Sequence, residues 1–287
     1  MMSKHPGSDY SPATWRLLLD AHPRPGTLNM AIDEAVLRSV AARRAPPTLR
    51  LYGWSPPTLT LGRGQSHRDA DTDALRRAGV TLVRRMTGGT AVLNRDELSY
   101  MVAVTDREPR LAAGSIAESY RGISSALLYA LARLGVKSAE ASISAKEAFP
   151  DDGERPSRDA RSPVCFELPS DYEITVGGRK LFGSSQMRIR GGILQHGSLP
   201  LGGDIADIGH YLAVPTDPAR IRSLALSLED ALGQRVTWDA AADAVREGFC
   251  EALNLDLVPA PLTAEERSEV ERLLVEKYSR AQWTERV

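Results

Sequence analysis

Two pairs of glycines divide one stretch of this sequence into three runs that alternate between polar and apolar residues. The first pair is Gly177 and Gly178, and the second is Gly191 and Gly192. Paired glycines adopt the positive φ angles of tight hairpin turns, and a period of two is typical of strands with one buried face. Residues 165–201 therefore predict a meander of three antiparallel strands, which constrains the fold more than any other segment.

Segments on both sides of the meander predict further strands and helices. Period-two patterns and short apolar runs predict strands in residues 15–20, 48–54, 58–65, 80–85 and 91–105, the last range holding two strands around a polar turn. Apolar residues at helical spacing predict helices in residues 27–44, 71–78 and 117–134, with Thr27 as the cap of the first. Strands with helices between and after them predict an α+β fold, a mixed β-sheet core with flanking helices.

The chain length of 287 residues fits one large domain. We predict a disordered lead-in over residues 1–14 and a single domain over residues 15–287. Within that domain, residues 138–163 are rich in Ser, Ala, Asp, Glu, Arg and Pro and have little periodicity, which predicts a long mobile loop. Residues 217–287 are mostly helical in pattern, with Pro and Gly at the joints.

Charge and composition exclude several classes of protein. The formal net charge is -1 and no run of Lys or Arg is present, so the chain lacks the basic footprint of a nucleic-acid-binding protein. No stretch approaches the roughly 18 apolar residues of a membrane span, and the polar N-terminus has no apolar signal segment. The two cysteines lack the spacing of zinc ligands, so we expect no metal. A cytoplasmic protein is the expectation.

Cys165 lies where the predicted mobile loop meets the meander. Most free cysteines are small buried hydrophobes, but loops position catalytic groups, so both interpretations stay open from position alone. Lys180 follows the first hairpin turn, which predicts pairing near Glu173 or Ile174 and a side chain that faces the preceding loop. An ammonium group there favours the thiolate of Cys165, although a strand lysine is more often simply solvated. Cys250 lies on a predicted helix, and we interpret it as a core residue.

A glycine pair between two predicted strands forms a second candidate site. Gly88 and Gly89 allow a close backbone approach to a ligand and offer N–H donors, and Thr87 precedes them. Arg84 and Arg85 lie beside them, and arginines hold phosphate or carboxylate groups. The alternative is a tight turn with charged flanks.

Two neighbouring strands of the predicted meander carry a third set of candidates. Gly183, Ser184 and Gln186 lie on one strand, and His196 and Gly197 lie on the next. Small residues at Gly183 and Gly197 leave room for a ligand or for another backbone segment. His196 is a candidate acid/base or a hydrogen-bond anchor, and a structural role is its alternative.

Eight ordered motifs resemble the superfamily of lipoate–protein ligase A, octanoyltransferases and biotin ligases. They are NMAIDEA at 29–35, PTLRLYGW at 47–54, PTLTLGRGQ at 57–65, VRRMTGGTAVL at 83–93, DELSY at 96–100, GRKLFGSSQMR at 178–188, ILQHGSL at 193–199 and KYSRAQW at 277–283. The resemblance implies a mixed sheet with flanking helices that binds an acyl group in a tunnel. It implies that Lys180 is the catalytic lysine and that the RRMTGG loop covers the acyl chain.

The segment CFELPSDYE at 165–173 resembles the LipM-type octanoyltransferases, in which the nucleophilic cysteine precedes the catalytic lysine. In LipB-type octanoyltransferases the cysteine follows the lysine, and here the first cysteine after Lys180 is Cys250. The resemblance therefore implies Cys165 as the nucleophile of a ping-pong reaction in lipoate biosynthesis. In this reaction octanoyl-acyl carrier protein is the donor and the lysine of a lipoyl domain is the acceptor.

The implied acceptors are the glycine cleavage H protein and the E2 subunits of 2-oxoacid dehydrogenases, and no cofactor is implied because one thioester replaces another. We expect a monomer. Three alternatives stay open: an ATP-dependent lipoate–protein ligase, an amidotransferase that moves octanoyl between lipoyl-bearing proteins, and a catalytically silent acyl-binding protein. The requirement for ATP and the identity of the donor distinguish them.

Overall fold

The computed structural model describes residues 10–112, 115–142 and 173–287. The strands in these ranges are β1 (Ala13–Leu19), β2 (Thr48–Tyr52), β3 (Thr58–Leu61), β4 (Thr81–Arg84), β5 (Val92–Asn94), β6 (Glu97–Thr105), β7 (Ala139–Ser142), β8 (Glu173–Val176), β9 (Arg179–Ile189), β10 (Gly192–Pro200) and β11 (Leu255–Pro259). The α-helices are α1 (Gly26–Ala41), α2 (Thr72–Ala78), α3 (Ile116–Arg133), α4 (Pro218–Leu224), α5 (Leu228–Leu232), α6 (Trp238–Leu253), α7 (Ala264–Leu273) and α8 (Ala281–Thr284). Short 3₁₀ turns cover His67–Asp69 and Ile205–Tyr211, and a π-helical turn covers Leu274–Tyr278.

A large mixed sheet forms the centre of the molecule. Its strand order is β11-β1-β2-β6-β10-β9-β8-β7, and β1 runs parallel to both β11 and β2. A second, smaller sheet has the order β4-β3-β5. This architecture confirms the predicted α+β class with a mixed sheet and flanking helices.

The predicted meander is present as β8, β9 and β10. Its first turn contains Gly177 and Gly178 with φ angles of 57° and 76°, and its second contains Gly191 with φ of 88°. A residue with a Cβ atom rarely adopts these angles, so the glycine pairs fix where the hairpins turn.

Both faces of the large sheet are covered by helices, which is why its central strands are buried on both sides. Alternate residues of β6 show the division. Tyr100 and Val102 belong to the hydrophobic core that also contains residues of α3 and α6, whereas Met101 and Ala103 belong to the core built with α1. Side chains of a strand alternate between the two faces of a sheet, so each face has its own core.

Three secondary-structure predictions differ from the structure. The first helix begins at Gly26 after Pro25 and has no side-chain cap, so the prediction of Thr27 as its cap was wrong. The stretch predicted as a loop over residues 138–163 begins with strand β7, because its short alternating run pairs with β8, and residues 143–163 lie outside the described residues. The mostly helical part after residue 217 also contains β11. This strand was missed because its five residues have no clear local strand signal, and only their pairing with β1 defines it.

Among the helices that the structure describes, none combines the length and the apolar character needed to cross a bilayer.

A buried ion pair ties β1 to α7. Both guanidinium nitrogens of Arg16 donate to the carboxylate of Glu266, at 2.7 and 2.6 Å, and both side chains are almost fully excluded from solvent. Burial alone opposes the charge on Glu266, but hydrogen bonds from Arg16 and from the backbone N–H of Thr263 hold the pKa of this carboxyl below its usual value. The pair therefore contributes to stability at neutral pH.

We expect the Glu266→Ala substitution to lower the free energy of unfolding by about 3–5 kcal/mol at pH 7, because it leaves the Arg16 charge buried without a partner. Urea denaturation measures this loss. The adjacent Glu265 is exposed, so Glu265→Ala is a matched control that should change stability by less than about 0.5 kcal/mol. A lowered carboxyl pKa means that the contribution is lost as pH falls through that pKa. An equal difference between wild type and Glu266→Ala in acid and at neutral pH would contradict the assignment.

Candidate functional site

A cavity of about 240 Å³ lies between the large sheet, the small sheet and helix α1. Its wall contains six of the residues predicted as site residues from the sequence. They are Arg85, Gly89, Gly183, Ser184, His196 and Gly197. The apolar part of the wall comes mainly from Met30, Tyr52, Trp54 and Val92.

The floor of this cavity is a single row of residues across four neighbouring strands. Gly183 on β9 pairs with Ser198 on β10, Ser198 pairs with Ser99 on β6, and Ser99 pairs with Tyr52 on β2. Residues that pair directly across a sheet point to the same face. The small residues Gly183, Ser198 and Ser99 leave open space above the sheet. The larger side chain of Tyr52 fills this space at the end of the row.

The loop that carries Gly88 and Gly89 covers one side of the cavity. The guanidinium of Arg85 holds it in place by donating to the carbonyl oxygens of Gly88 and Thr90, at 2.7 and 2.8 Å. The hydroxyl of Ser185 also donates to the Gly88 carbonyl, at 3.1 Å. Arg85 therefore lines the cavity and fixes the loop that encloses it.

Gly62 explains how closely this loop approaches the neighbouring backbone. A Cβ atom at Gly62 would lie 1.7 Å from the carbonyl oxygen of Gly89, so a larger residue does not fit. Gly89 itself has a φ of 89°, a conformation that favours glycine. The first glycine of the GRG motif thus supports the covering loop, a role that was not predicted from its motif.

His196 is held between a carboxylate and a hydroxyl. Its Nδ1 lies 3.1 Å from Asp33 Oδ2, and its Nε2 lies 2.7 Å from the hydroxyl oxygen of Thr87. When Nδ1 carries the proton and donates to Asp33, Nε2 accepts from Thr87. Among the acid/base, anchoring and structural roles considered for His196, this geometry favours an anchor for the loop over an acid/base, because both ring nitrogens already have partners.

Asp33 is fully buried on helix α1 and has further partners. Arg50 donates to its Oδ1 at 2.7 Å, and the hydroxyl of Tyr52 donates to its Oδ2 at 3.1 Å. Burial and the neighbouring Asp33 charge raise the pKa of Tyr52 well above its usual value, so Tyr52 stays protonated as a donor. These contacts fix the carboxylate that orients His196.

Arg84 and Gln186 lie outside the cavity wall, and so do Thr87 and Gly88. The Arg84 guanidinium is buried and donates to backbone carbonyl oxygens of Gly62 and Thr284, at 2.7 and 2.6 Å, so it joins the chain near its C-terminus to the loop after β3. Gln186 donates to Gln195 at 3.1 Å. Their roles in substrate binding remain predictions.

Ser184 belongs to a hydrogen-bonded chain that crosses three strands. Its hydroxyl lies 2.7 Å from the hydroxyl of Tyr100, which accepts from Gln195 Nε2 at 2.9 Å. Burial raises the pKa of Tyr100 to about 12, so this phenol is protonated and keeps the chain neutral.

Lys180 lies on β9 at an irregularity of the sheet. Lys180 pairs with Thr175, which is adjacent to the predicted neighbourhood of Glu173 and Ile174, and Phe182 pairs with Ile174. The register shift leaves one extra residue on β9, which is a β-bulge. Bulges change the direction of side chains and are common beside active sites.

The side chain of Lys180 reaches Glu173 across the hairpin. Its ammonium forms a buried ion pair with the Glu173 carboxylate, and the two residues are 3% and 7% exposed. A Cβ atom at Gly183 would lie 3.3 Å from Lys180 Cε and 3.8 Å from Nζ. The charged group therefore lies at the Gly183 end of the cavity.

Of the two cysteines, only Cys250 lies among the described residues. Cys165 lies outside the described residues. Cys250 lies on α6 beside the buried Phe249. It is only half-buried and not a member of the hydrophobic core, so its interpretation as a core residue was wrong. Burial raises the pKa of the Cys250 thiol, which reduces its thiolate fraction.

Sequence reasoning missed Asp33 as a part of the site, and it named Glu173 only as a neighbour of Lys180 across the hairpin. Asp33 offered a usable signal, because it lies on the same face of the predicted helix as apolar residues. A charged residue at such a position requires a buried partner.

We expect Thr87→Val to loosen the loop, because the variant keeps the shape of the side chain and loses the hydrogen bond to His196. Hydrogen–deuterium exchange of peptides covering residues 84–93 should become about threefold to tenfold faster, the effect of one hydrogen bond on local opening. Thr87→Ser should restore the protection. Thr81→Val removes a hydroxyl paired with Thr58 in the same small sheet and is the control. Equal exchange in wild type and Thr87→Val would show that the contact does not hold the loop.

Comparisons with known proteins agree with this geometry. Residues 25–250 match the lipoyl protein ligase A/B catalytic domain family. Octanoyltransferase LipM of Kyrpidia tusciae is 43% identical over 95% of this chain and 99% of its own length, and that of Bacillus subtilis is 37% identical over 94% and 97%.

Two solved structures share the fold. Lipoate-protein ligase A bound with ATP superposes with a TM-score of 0.77 at 24% identity, over 95% of this chain and 99% of its own. The bi-partite lipoate protein ligase of Thermoplasma acidophilum gives 0.73 at 22% identity, over 96% and 97%. The near-complete coverage of the relatives, together with the family match, shows that this chain belongs to the lipoyl protein ligase A/B catalytic domain family and groups with the LipM octanoyltransferases.

Proposed function

We propose that this protein is an octanoyltransferase that forms a thioester on Cys165 and passes the acyl group to the lysine of a lipoyl domain. The donor is octanoyl-acyl carrier protein. The curated relatives are named octanoyltransferase LipM and align over nearly the whole chain, which supports the reaction class.

The observation that carries the proposal is the buried ion pair between Lys180 and Glu173 at the Gly183 end of an otherwise largely apolar cavity. Burying a lysine and a glutamate removes both from water and is costly unless they have good partners. Such a cost is expected where a charged group serves a reaction. The cavity supplies the apolar space that a medium-chain acyl group requires.

In the first half of the reaction, the Cys165 thiolate attacks the thioester carbonyl of the donor. A new C–S bond forms to Cys165, the bond to the phosphopantetheine sulfur breaks, and the Lys180 ammonium supplies the proton to the departing thiolate. Exchange of one thioester for another is nearly isoenergetic, so the step requires no ATP.

In the second half, the lysine of the lipoyl domain attacks the acyl-enzyme. This amine must lose a proton, and Lys180, left neutral by the first half, accepts it. The amide bond forms, the C–S bond to Cys165 breaks, and the starting charges of Cys165 and Lys180 are restored. Glu173 keeps Lys180 oriented through both halves.

The acceptors are lipoyl domains, such as those of the glycine cleavage H protein and the E2 subunits of 2-oxoacid dehydrogenases. We place the reaction in the cytoplasm and assign it to a monomer. Gly89, Gly183, Ser184, His196 and Gly197 form the proposed acyl site, with Arg85 holding its covering loop.

Incubation with octanoyl-acyl carrier protein in the absence of ATP should add one octanoyl group to Cys165, as measured by intact mass and peptide mapping. Cys165→Ser should abolish this thioester, whereas Cys250→Ser should leave it unchanged because the half-buried Cys250 lies on α6. Transfer of free lipoate that requires ATP, without an adduct on Cys165, would establish the ligase alternative. An adduct formed only from an octanoylated protein would establish the amidotransferase.

The Glu173→Gln variant should retain the adduct and change the pH dependence of transfer to the lipoyl domain. Removing the carboxylate charge favours the neutral form of the neighbouring amine, so the rise of the rate with pH should move to lower pH. Lys180→Met should lower the single-turnover rate by about 10²–10⁴, the range for loss of a general acid/base. Glu140→Gln on the neighbouring strand β7 is the control. A pH profile identical to wild type in Glu173→Gln would remove Glu173 from the mechanism.

A further inference from the structure

The row of residues on the cavity floor gives the direction of the acyl chain. The carboxyl carbon of the substrate lies at the Gly183 end, where Lys180 is found, so this part of the argument rests on the proposed function. Neighbouring strands are about 4.8 Å apart, and Gly183 is therefore about 10 Å from Ser99 and about 14 Å from Tyr52. The far end of the cavity is the region above Ser99.

The far end has a hydrogen-bonded polar wall beside the apolar surfaces of Trp54 and Val92. The hydroxyl of Thr60 donates to Asn94 Oδ1 at 2.9 Å, and the indole N–H of Trp54 donates to the hydroxyl of Ser99 at 2.9 Å. All four of these polar residues line the cavity. An acyl chain that reaches this end therefore meets hydrogen-bonded groups.

The hydrogen bonds of this wall converge on one buried carboxylate. Asn94 Nδ2 and the hydroxyl of Ser99 both donate to Glu97 Oε1, at 2.9 and 2.6 Å. Glu97 is 4% exposed, and within the described ranges no Lys, Arg or His forms an ion pair with it. Burial raises the pKa of this carboxyl, which reflects how poorly its charge is compensated.

We propose that Glu97, through the hydrogen-bonded wall of Thr60, Asn94 and Ser99, sets the maximum length of the acyl chain that this enzyme accepts. The group that it disfavours is an apolar chain terminus. Glu97 is a specificity-determining residue rather than a catalytic one, because it lies at the opposite end of the cavity from Lys180.

Desolvation is the physical basis of this selection. Each methylene that enters an apolar part of the cavity improves binding by about fourfold. A methylene pressed against the polar wall instead places a group that forms no hydrogen bonds beside the buried Glu97 charge, and apolar surroundings are unfavourable for a charge that no opposite charge compensates. The increase in binding affinity with each added carbon therefore stops when the chain terminus reaches the polar wall.

The isosteric variant Glu97→Gln separates the charge from the shape of this wall. The amide oxygen of a glutamine can accept both hydrogen bonds that Oε1 now accepts, whereas the negative charge is gone. Asp96→Asn removes the same charge from the adjacent residue, which pairs with Arg235 at the surface, and is the matched control. Thr60→Val reduces the polarity of the wall and leaves Glu97 in place.

The experiment measures binding of S-acyl-pantetheine thioesters of six, eight, ten and twelve carbons by calorimetry. It uses the Cys165→Ser background, so that no transfer occurs. In the Cys165→Ser protein without a second substitution, the affinity should increase with chain length up to eight carbons and then decrease. Glu97→Gln should raise the affinity for ten and twelve carbons relative to eight by about tenfold, close to the effect of burying two methylenes. Thr60→Val should shift the profile in the same direction by a smaller factor.

An unchanged ratio of ten-carbon to eight-carbon affinity in Glu97→Gln, or an equal shift in Asp96→Asn, overturns the proposal. If Glu97→Gln fails to fold, an unchanged ratio in Thr60→Val overturns it. Because binding is measured without Cys165, the result is independent of the transfer reaction. A missing adduct on wild-type Cys165 would contradict the proposed function. The binding measurements would still decide whether Glu97 selects the acyl chain length.

Discussion

The carboxylate of Asp33 organises one side of the cavity from inside the protein. It accepts hydrogen bonds from Arg50 and Tyr52 and orients His196, which in turn holds Thr87 in the covering loop. A buried carboxylate is tolerated only when it is paired and hydrogen-bonded, and here each partner also has a structural task. Helix α1, strands β2 and β10 of the large sheet and the loop are thereby connected through a single side chain.

The two other buried carboxylates near the cavity have different surroundings. Glu173 faces a lysine, whereas Glu97 accepts hydrogen bonds only from neutral groups among the described residues. The reactive end of the cavity thus has a carboxylate paired with a lysine ammonium, and the far end has a carboxylate with neutral hydrogen-bond donors.

Much of this architecture could be predicted from local patterns. The glycine pairs placed the meander, and the apolar spacing placed the long helices, because turn chemistry and side-chain periodicity are properties of neighbouring residues. Strands β7 and β11 were missed because short strands are defined by partners distant in sequence. The same reason explains the site: His196 and Gly183 were candidates from their motifs, but Asp33, Glu97 and Gly62 acquire their roles only through contacts across the fold. The substrate-binding role of Arg84 stays a prediction, and its observed hydrogen bonds to backbone carbonyl oxygens could not be read from the sequence.

The parallel pairing of β11 with β1 has a consequence for how the chain folds. Ala13 pairs with Leu255, so a strand near the beginning of the chain completes its hydrogen bonding only with residues more than two hundred positions later. The ion pair between Arg16 and Glu266 closes a similar distance. Contacts of such long sequence separation slow folding, since closing the long intervening loop costs entropy before the contacts can form. During synthesis on the ribosome, β1 therefore has one edge without its partner until most of the protein has been made, a period in which that edge is available to other chains.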